Sequence, residues 1–220
     1  MNRSTDALRW LLLPGLMLVL AGCAGLDRKD DSPEPDTSAE VPEPVVEKTP
    51  EERYADAVDL MRRNQLDEAR AAFEALTVDA PEQSGPWTNL GLLHQRAKRP
   101  ADARRAFETA VRLNPDNATA YNQLGMVLRE TGQYPAARAA YESALTARPE
   151  FAEAHLNLGL LLDSHVPGAR NEALDHYRRY LELQGGDDLR VLVWIAEIEQ
   201  AQAAAAATTT DAPAAAEETP

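Results

Sequence analysis

Three prolines, Pro81, Pro115 and Pro149, stand 34 residues apart, and the residues ahead of them recur on the same interval. Ala69, Ala103 and Ala137 share one column; Phe73, Phe107 and Tyr141 share another, and Leu76, Ala110 and Ala144 a third. Earlier in each unit come Trp87, Tyr121 and His155, then Leu90, Leu124 and Leu158, then Gly91, Gly125 and Gly159. A fixed period of this length constrains the fold more than any composition does. One unit has too little apolar surface to bury alone, so units must stack on copies of themselves. The apolar spacing is helical on both sides of a short turn, which predicts an all-α chain built from helix pairs. Small residues at the Gly and Ala columns predict a close approach of the two helices, with the aromatic ring of the second filling the space beside them. Gly132 marks the turn of the third unit, and each closing proline stops a second helix before the next unit begins.

The order W-x₂-L-G-x₂-Y followed by A-x₃-F-x₂-A and a proline resembles the tetratricopeptide repeat, over about 135 residues. The resemblance implies a right-handed superhelix, an α-solenoid, of four helix-turn-helix repeats over residues 51–186, with a concave face that binds proteins. Repeat one is degenerate: Asp56 and Ala57 occupy the Leu and Gly columns, while Tyr54, Leu60, Ala69, Phe73 and Pro81 keep the pattern. Terminal repeats depart in this way because one face meets solvent. Repeat four keeps Leu158, Gly159 and Leu162, then gains two residues within SHVPGARNEA. Ala173 and Tyr177 therefore fall two places late, Gly185 replaces the proline, and Tyr180 lands where alanine is expected. Beyond Gly186, Asp187 and Asp188 offer a helix cap. Leu189, Leu192, Ile195 and Ile198, with Val191 and Trp194 alongside, form a stripe opposite Arg190, Glu197 and Gln200. This predicts a capping helix over 187–204 whose stripe closes the array, and a disordered Ala/Thr/Pro tail over 205–220.

At the N-terminus, residues 1–22 place Arg3 and Arg9 before an apolar run from Trp10 to Leu20 and the small Ala21 and Gly22. That is the order of an export signal. The run is too short to span a bilayer, which takes about 20 residues, and Pro14 interrupts it. Leu20-Ala21-Gly22-Cys23 resembles the lipobox of bacterial lipoproteins, which implies acylation of Cys23, the only cysteine of the chain. A single acyl chain holds only marginally, so the two or three that lipobox chemistry supplies are what a lasting anchor needs. No cysteine is left for a disulfide. Alanine rather than aspartate after Cys23 implies the outer membrane, facing the periplasm, with the inner membrane as the alternative. The stretch 23–50 is rich in proline and acids and has no aromatic residue, the composition of a disordered tether.

A net charge of −14 and a pI near 4.7 argue against non-specific nucleic-acid binding and against a polybasic grip on lipid. No phosphate-cradling G-x-x-x-x-G-K-[ST] loop, no G-x-S-x-G elbow and no HExxH helix occurs. Of the four histidines, His94 and His155 fall on aromatic columns, leaving His165 and His176 as the one place for a metal or small ligand. The expectation is a non-enzyme without metal or cofactor.

Offsets within the repeat select the candidate groove. Ninth positions give an apolar row, Val58, Leu92, Met126 and Leu160. Fifth and sixth positions supply Tyr54, Asn89, Asn122, Leu156 and Asn157, with amides suited to a peptide backbone, and the twelfth and thirteenth add Arg62, Arg96 and Arg129. Lipoproteins of this size and repeat count resemble pilotin-like proteins of type IV or Flp pilus and secretion assembly, and also adaptors that gather peptidoglycan hydrolases and proteases. The reading is therefore a membrane-anchored periplasmic scaffold, with a lean to pilus or secretion assembly. A homodimer whose groove is filled by its own tail or by a neighbour is a further alternative. Replacing Cys23 by serine is expected to move the chain from the membrane to the soluble fraction of its host, and to abolish incorporation of labelled palmitate.

Overall fold

The computed structural model describes residues 47–210. The expected export signal, Cys23, the expected tether up to residue 46 and the expected tail beyond 210 lie outside the described residues. Within them the chain is all-α: α1 (Pro50–Arg62), α2 (Leu66–Asp79), α3 (Ser84–Arg96), α4 (Pro100–Leu113), α5 (Ala118–Glu130), α6 (Tyr134–Ala147), α7 (Ala152–His165), α8 (Arg170–Gln184) and α9 (Leu189–Thr210). The body opens at Pro50, one residue inside the stretch expected to be tether. Thr49 and Glu52 form a reciprocal capping box there, with the Thr49 N–H donating to Glu52 at 2.8 Å and the Glu52 N–H to Thr49 Oγ1 at 3.2 Å.

Helices pair as α1/α2, α3/α4, α5/α6 and α7/α8. The turn inside each pair has one residue at positive φ, namely Asn64, Lys98, Gly132 and Gly168. In the first three turns the next amide reaches back five residues, Gln65 to Leu60, Arg99 to His94 and Gln133 to Leu128, which satisfies carbonyls that the helix end would leave open. The fourth turn is the lengthened one, and Val166 and Ala169 from it pack onto the core.

What brings the two helices of a pair together is a missing atom. A Cβ at Gly125 would stand 2.5 Å from the Tyr141 ring, and one at Gly159 would stand 2.8 Å from Tyr177. Gly91 meets Phe107 in the same way. The rings of Phe73, Phe107, Tyr141 and Tyr177 are all fully buried, as are the alanines of the neighbouring column, Ala69, Ala103, Ala137 and Ala173. Along the array α3 approaches α5 and α5 approaches α7, whereas consecutive second helices make no comparable approach. The first helices therefore line the shorter, inner radius of the solenoid. Buried residues fall into two clusters, one centred on α1–α3 and a larger one running from α4 to α9, with Trp87 packed against both.

The capping helix departs from expectation in length and in face. It continues to Thr210, so residues assigned to the disordered tail are helical. Val191 and Ile198 are its buried residues and Trp194 and Ile195 are half-buried, while Leu189, Leu192 and Val193 are exposed. α9 takes the register of a first helix in a fifth unit, 36 residues after α7, so Val191, Trp194, Ile195 and Ile198 follow His155, Leu158, Gly159 and Leu162.

Gly125→Leu is expected to drive α5 and α6 apart and to lower stability by more than about 2 kcal/mol in urea titration. Tyr141→Phe removes a buried hydroxyl that has no hydrogen-bond partner, and is expected to be neutral or stabilising by up to about 1 kcal/mol in the same titration.

Candidate functional site: the inner face

The ninth-position row lies along α1, α3, α5 and α7. Val58, Leu92, Met126 and Leu160 are half-buried, each resting on the core with one side open. Leu156 behaves in the same way. The polar residues between them are bound to one another. Asn89 Nδ2 donates to the Tyr54 hydroxyl at 2.7 Å, and Asn157 Nδ2 donates to Asn122 Oδ1 at 3.0 Å. Both bonds cross from one first helix to the next, and Asn117 repeats the device by donating to Thr88 Oγ1 at 3.0 Å. The Tyr54 ring, set edge-on to Phe73 with centroids 5.7 Å apart, fills the space beside Gly85.

Matches to tetratricopeptide-repeat family models cover residues 82–150 and 122–188. The chain is a tetratricopeptide-repeat protein. Among solved structures, MamA matches at a TM-score of 0.59 and 22% identity over 67% of this chain and 84% of that one. Pseudomonas aeruginosa PilF matches at 0.60 and 20% over 70% and 68%. MamA from Desulfovibrio magneticus, residue 41 to its end, matches at 0.54 and 22% over 64% and 78%. At such identities the likeness is one of fold. No curated protein matches the sequence. As a member of this repeat family the chain is a scaffold for protein–protein interaction.

Measured against that face, the expected groove residues divide. The apolar row keeps an accessible side. Asn122 is only 3% exposed and Asn157 is committed to it, so these amides set the spacing of the first helices and do not wait for a peptide. Tyr54 and Asn89 do the same at the other end. Arg62 is exposed and paired with Asp59 at 3.1 Å. Arg96 is exposed and has no ion-pair partner among the described residues. Arg129 is half-buried: its Nε is enclosed without a hydrogen-bond partner, one turn beyond Gly125, where its charge acts on the Tyr141 hydroxyl. Burial pushes that hydroxyl up to about 12, against the opposing pull of Arg129. Burial also raises Tyr177, and there the carboxylate of Asp163 adds to the effect. Leu192 and Val193, exposed on α9, stand at the offsets that Leu156 and Asn157 hold on α7, a correspondence visible only once α9 is aligned as a fifth unit.

At the alternative site, His165 and His176, each ring has another partner. His165 stacks on Tyr134 with centroids 4.1 Å apart, while His176 Nδ1 lies 2.9 Å from His155 Nδ1. Among the described residues no group of three or more His, Cys, Asp or Glu side chains is placed to hold a metal. His155 Nε2 lies 3.0 Å from the Pro149 carbonyl, which can only accept, so Nε2 carries the hydrogen. A neutral His155 then presents Nδ1 as an acceptor for the His176 Nδ1–H. Around His176 stand Glu172 and Asp175 of its own helix, Arg138 of α6 and His155 of α7. Burial first, and His155 second, hold its pKa below the ordinary 6.5. Protonation thus costs more in the folded chain than in the unfolded one, and the stabilisation is intact above pH 6.5 and lost as pH falls below it. The urea midpoint is expected to drop from pH 7 to pH 5, and His176→Gln is expected to flatten that slope.

Proposed function

We propose that this chain is a lipid-anchored, non-catalytic adaptor of the bacterial envelope, in which acylated Cys23 and the proline-rich tether hold the repeat body at the periplasmic side of the outer membrane. The inner face of the solenoid gathers partner proteins there, and assembly of type IV or Flp pili or of secretion machinery is the role we favour. The observation that carries the reading is the apolar row of Val58, Leu92, Met126 and Leu160, one residue from each of the four first helices, each half-buried with one side accessible. The polar bonds between first helices hold that row in place, so the face is ready before a ligand arrives and less ordering is lost on binding. Among the described residues no helix is long and apolar enough to cross a membrane.

Leu92→Glu with Met126→Glu is expected to abolish recovery of partners from envelope extracts while the helical circular dichroism persists. Recovery of secretin or pilus components by the unaltered chain supports the assembly role. Recovery of cell-wall hydrolases overturns it in favour of wall maintenance, and unfolding of the double variant shows that the row is core and the groove assignment wrong.

A further inference from the structure

The turn that joins α3 to α4 reads Arg96-Ala97-Lys98-Arg99, and all four residues are exposed. Cations at the other turns are answered. Arg62 and Arg63 both meet Asp59, at 3.1 and 3.6 Å, and Arg170 meets Asp163 at 3.1 Å. Arg96, Lys98 and Arg99 have no ion-pair partner among the described residues. Lys98 also takes the left-handed backbone conformation, with φ 56°, where the third and fourth turns have Gly132 and Gly168. A residue with a Cβ is disfavoured in that conformation. The turn nevertheless closes around it, the Lys98 N–H donating to the Gln95 carbonyl and the Arg99 N–H to the His94 carbonyl, both at 2.9 Å. Strain of this kind concentrates where a side chain serves a function.

Two hollows open beside this turn. One, of about 350 Å³, is lined by Gln95, Lys98, Pro100, Glu130 and Thr131. The other, of about 400 Å³, shares Pro100 and Thr131 with it and continues along Ala101, Arg104, Arg105 and Glu108. Together they form one furrow between the second and third helix pairs, apolar at Pro100 and Ala101. Arg104 spans it, its Nε donating to Glu108 at 2.7 Å and its Nη1 to Gln133 at 3.0 Å. With Glu108 matched by Arg104 and Asp102 by Arg105, Glu130 is left against Arg96, Lys98 and Arg99, a local excess of positive charge on a chain of net charge −14. We propose that this turn and furrow dock a segment of a partner protein in which aspartate or glutamate residues flank a proline or alanine. The carboxylates answer Arg96, Lys98 and Arg99, and the small apolar residue rests on Pro100 and Ala101. A planar anionic membrane fits poorly, because Glu108 and Glu130 line the same furrow and a sheet of headgroups cannot bypass them, whereas a peptide places its acids singly. The site is separate from the apolar row of the inner face and adds a second docking surface to it.

Fluorescence anisotropy of a labelled peptide of roughly fifteen residues, made of Asp, Glu, Pro and Ala, tests this against the full chain. A control peptide has Lys at every Asp and Glu. The acidic peptide is expected to bind, and the control to bind at least about tenfold more weakly. Lys98→Gly suits the left-handed backbone, so the melting temperature is expected to hold while the acidic peptide weakens about threefold. Adding Arg96→Gln and Arg99→Gln is expected to bring the loss to at least about tenfold. Arg112→Gln removes an exposed cation at the far end of α4, also without an ion-pair partner among the described residues, and is expected to leave binding unchanged. No binding of the acidic peptide by the unaltered chain, equal binding by the triple variant, or an equal loss in Arg112→Gln overturns the site. Two other patterns overturn it by naming a different occupant. Binding to vesicles of anionic lipid that the triple variant loses, without binding of the acidic peptide, assigns the turn to a membrane surface. Peptide binding only by a chain that lacks residues 24–46 assigns it to the chain's own acidic stretch.

Discussion

Contact between a helix that lacks a side chain and an aromatic ring from its partner governs this molecule. At Gly91, Gly125 and Gly159 the backbone of the first helix lies against Phe107, Tyr141 and Tyr177, and no other residue type leaves the ring that room. Because the ring is wholly enclosed, the helix pair behaves as one unit with a fixed crossing, and copies of it stack with a constant offset. Curvature follows, with first helices touching on the inside and second helices fanned on the outside. The first pair has Ala57 in this position, still fully buried with Phe73, so the terminal unit keeps the contact in a looser form.

The periodic part of the structure was legible in the sequence because each column is a packing requirement that recurs. Helix count, the turn positions and the apolar row of the inner face all follow from the interval between Pro81, Pro115 and Pro149. What was not legible depends on partners far along the chain. Asn89, Asn122 and Asn157 read as free amides, but the atoms that satisfy them lie a full repeat away. Arg129 reads as a groove cation, although its side chain turns toward Tyr141. In α9 both Leu189/Leu192 and Val191/Trp194 lie on plausible apolar stripes, and α8 selects the second. Local spacing cannot make that choice, since it depends on which face the preceding unit offers. The alanine run after Gln202 is the opposite case: strong intrinsic helix propensity carries α9 beyond the last residue that it buries.

Individual character lies in the departures from the repeat. Tyrosine replaces phenylalanine in the third and fourth pairs, and in both the residue one turn beyond the glycine is ionisable, Arg129 or Asp163, where the first two pairs have Met61 and Gln95. Histidine replaces an aromatic at position 155 and joins His176, tying the loop after α6 to both helices of the fourth pair. Tyr180 stands where the second and third pairs have alanine, and its hydroxyl donates to Asp188 ahead of α9. Each of these departures lies in the second half of the array, which is also where the inner face becomes most apolar.

The division of the interior into two clusters has a mechanical consequence. The smaller one sits at the N-terminal end, and Trp87 is the residue that both share. Removing the indole would take away the one side chain, among the described residues, that rests on both clusters, and would leave them joined by helix contacts alone.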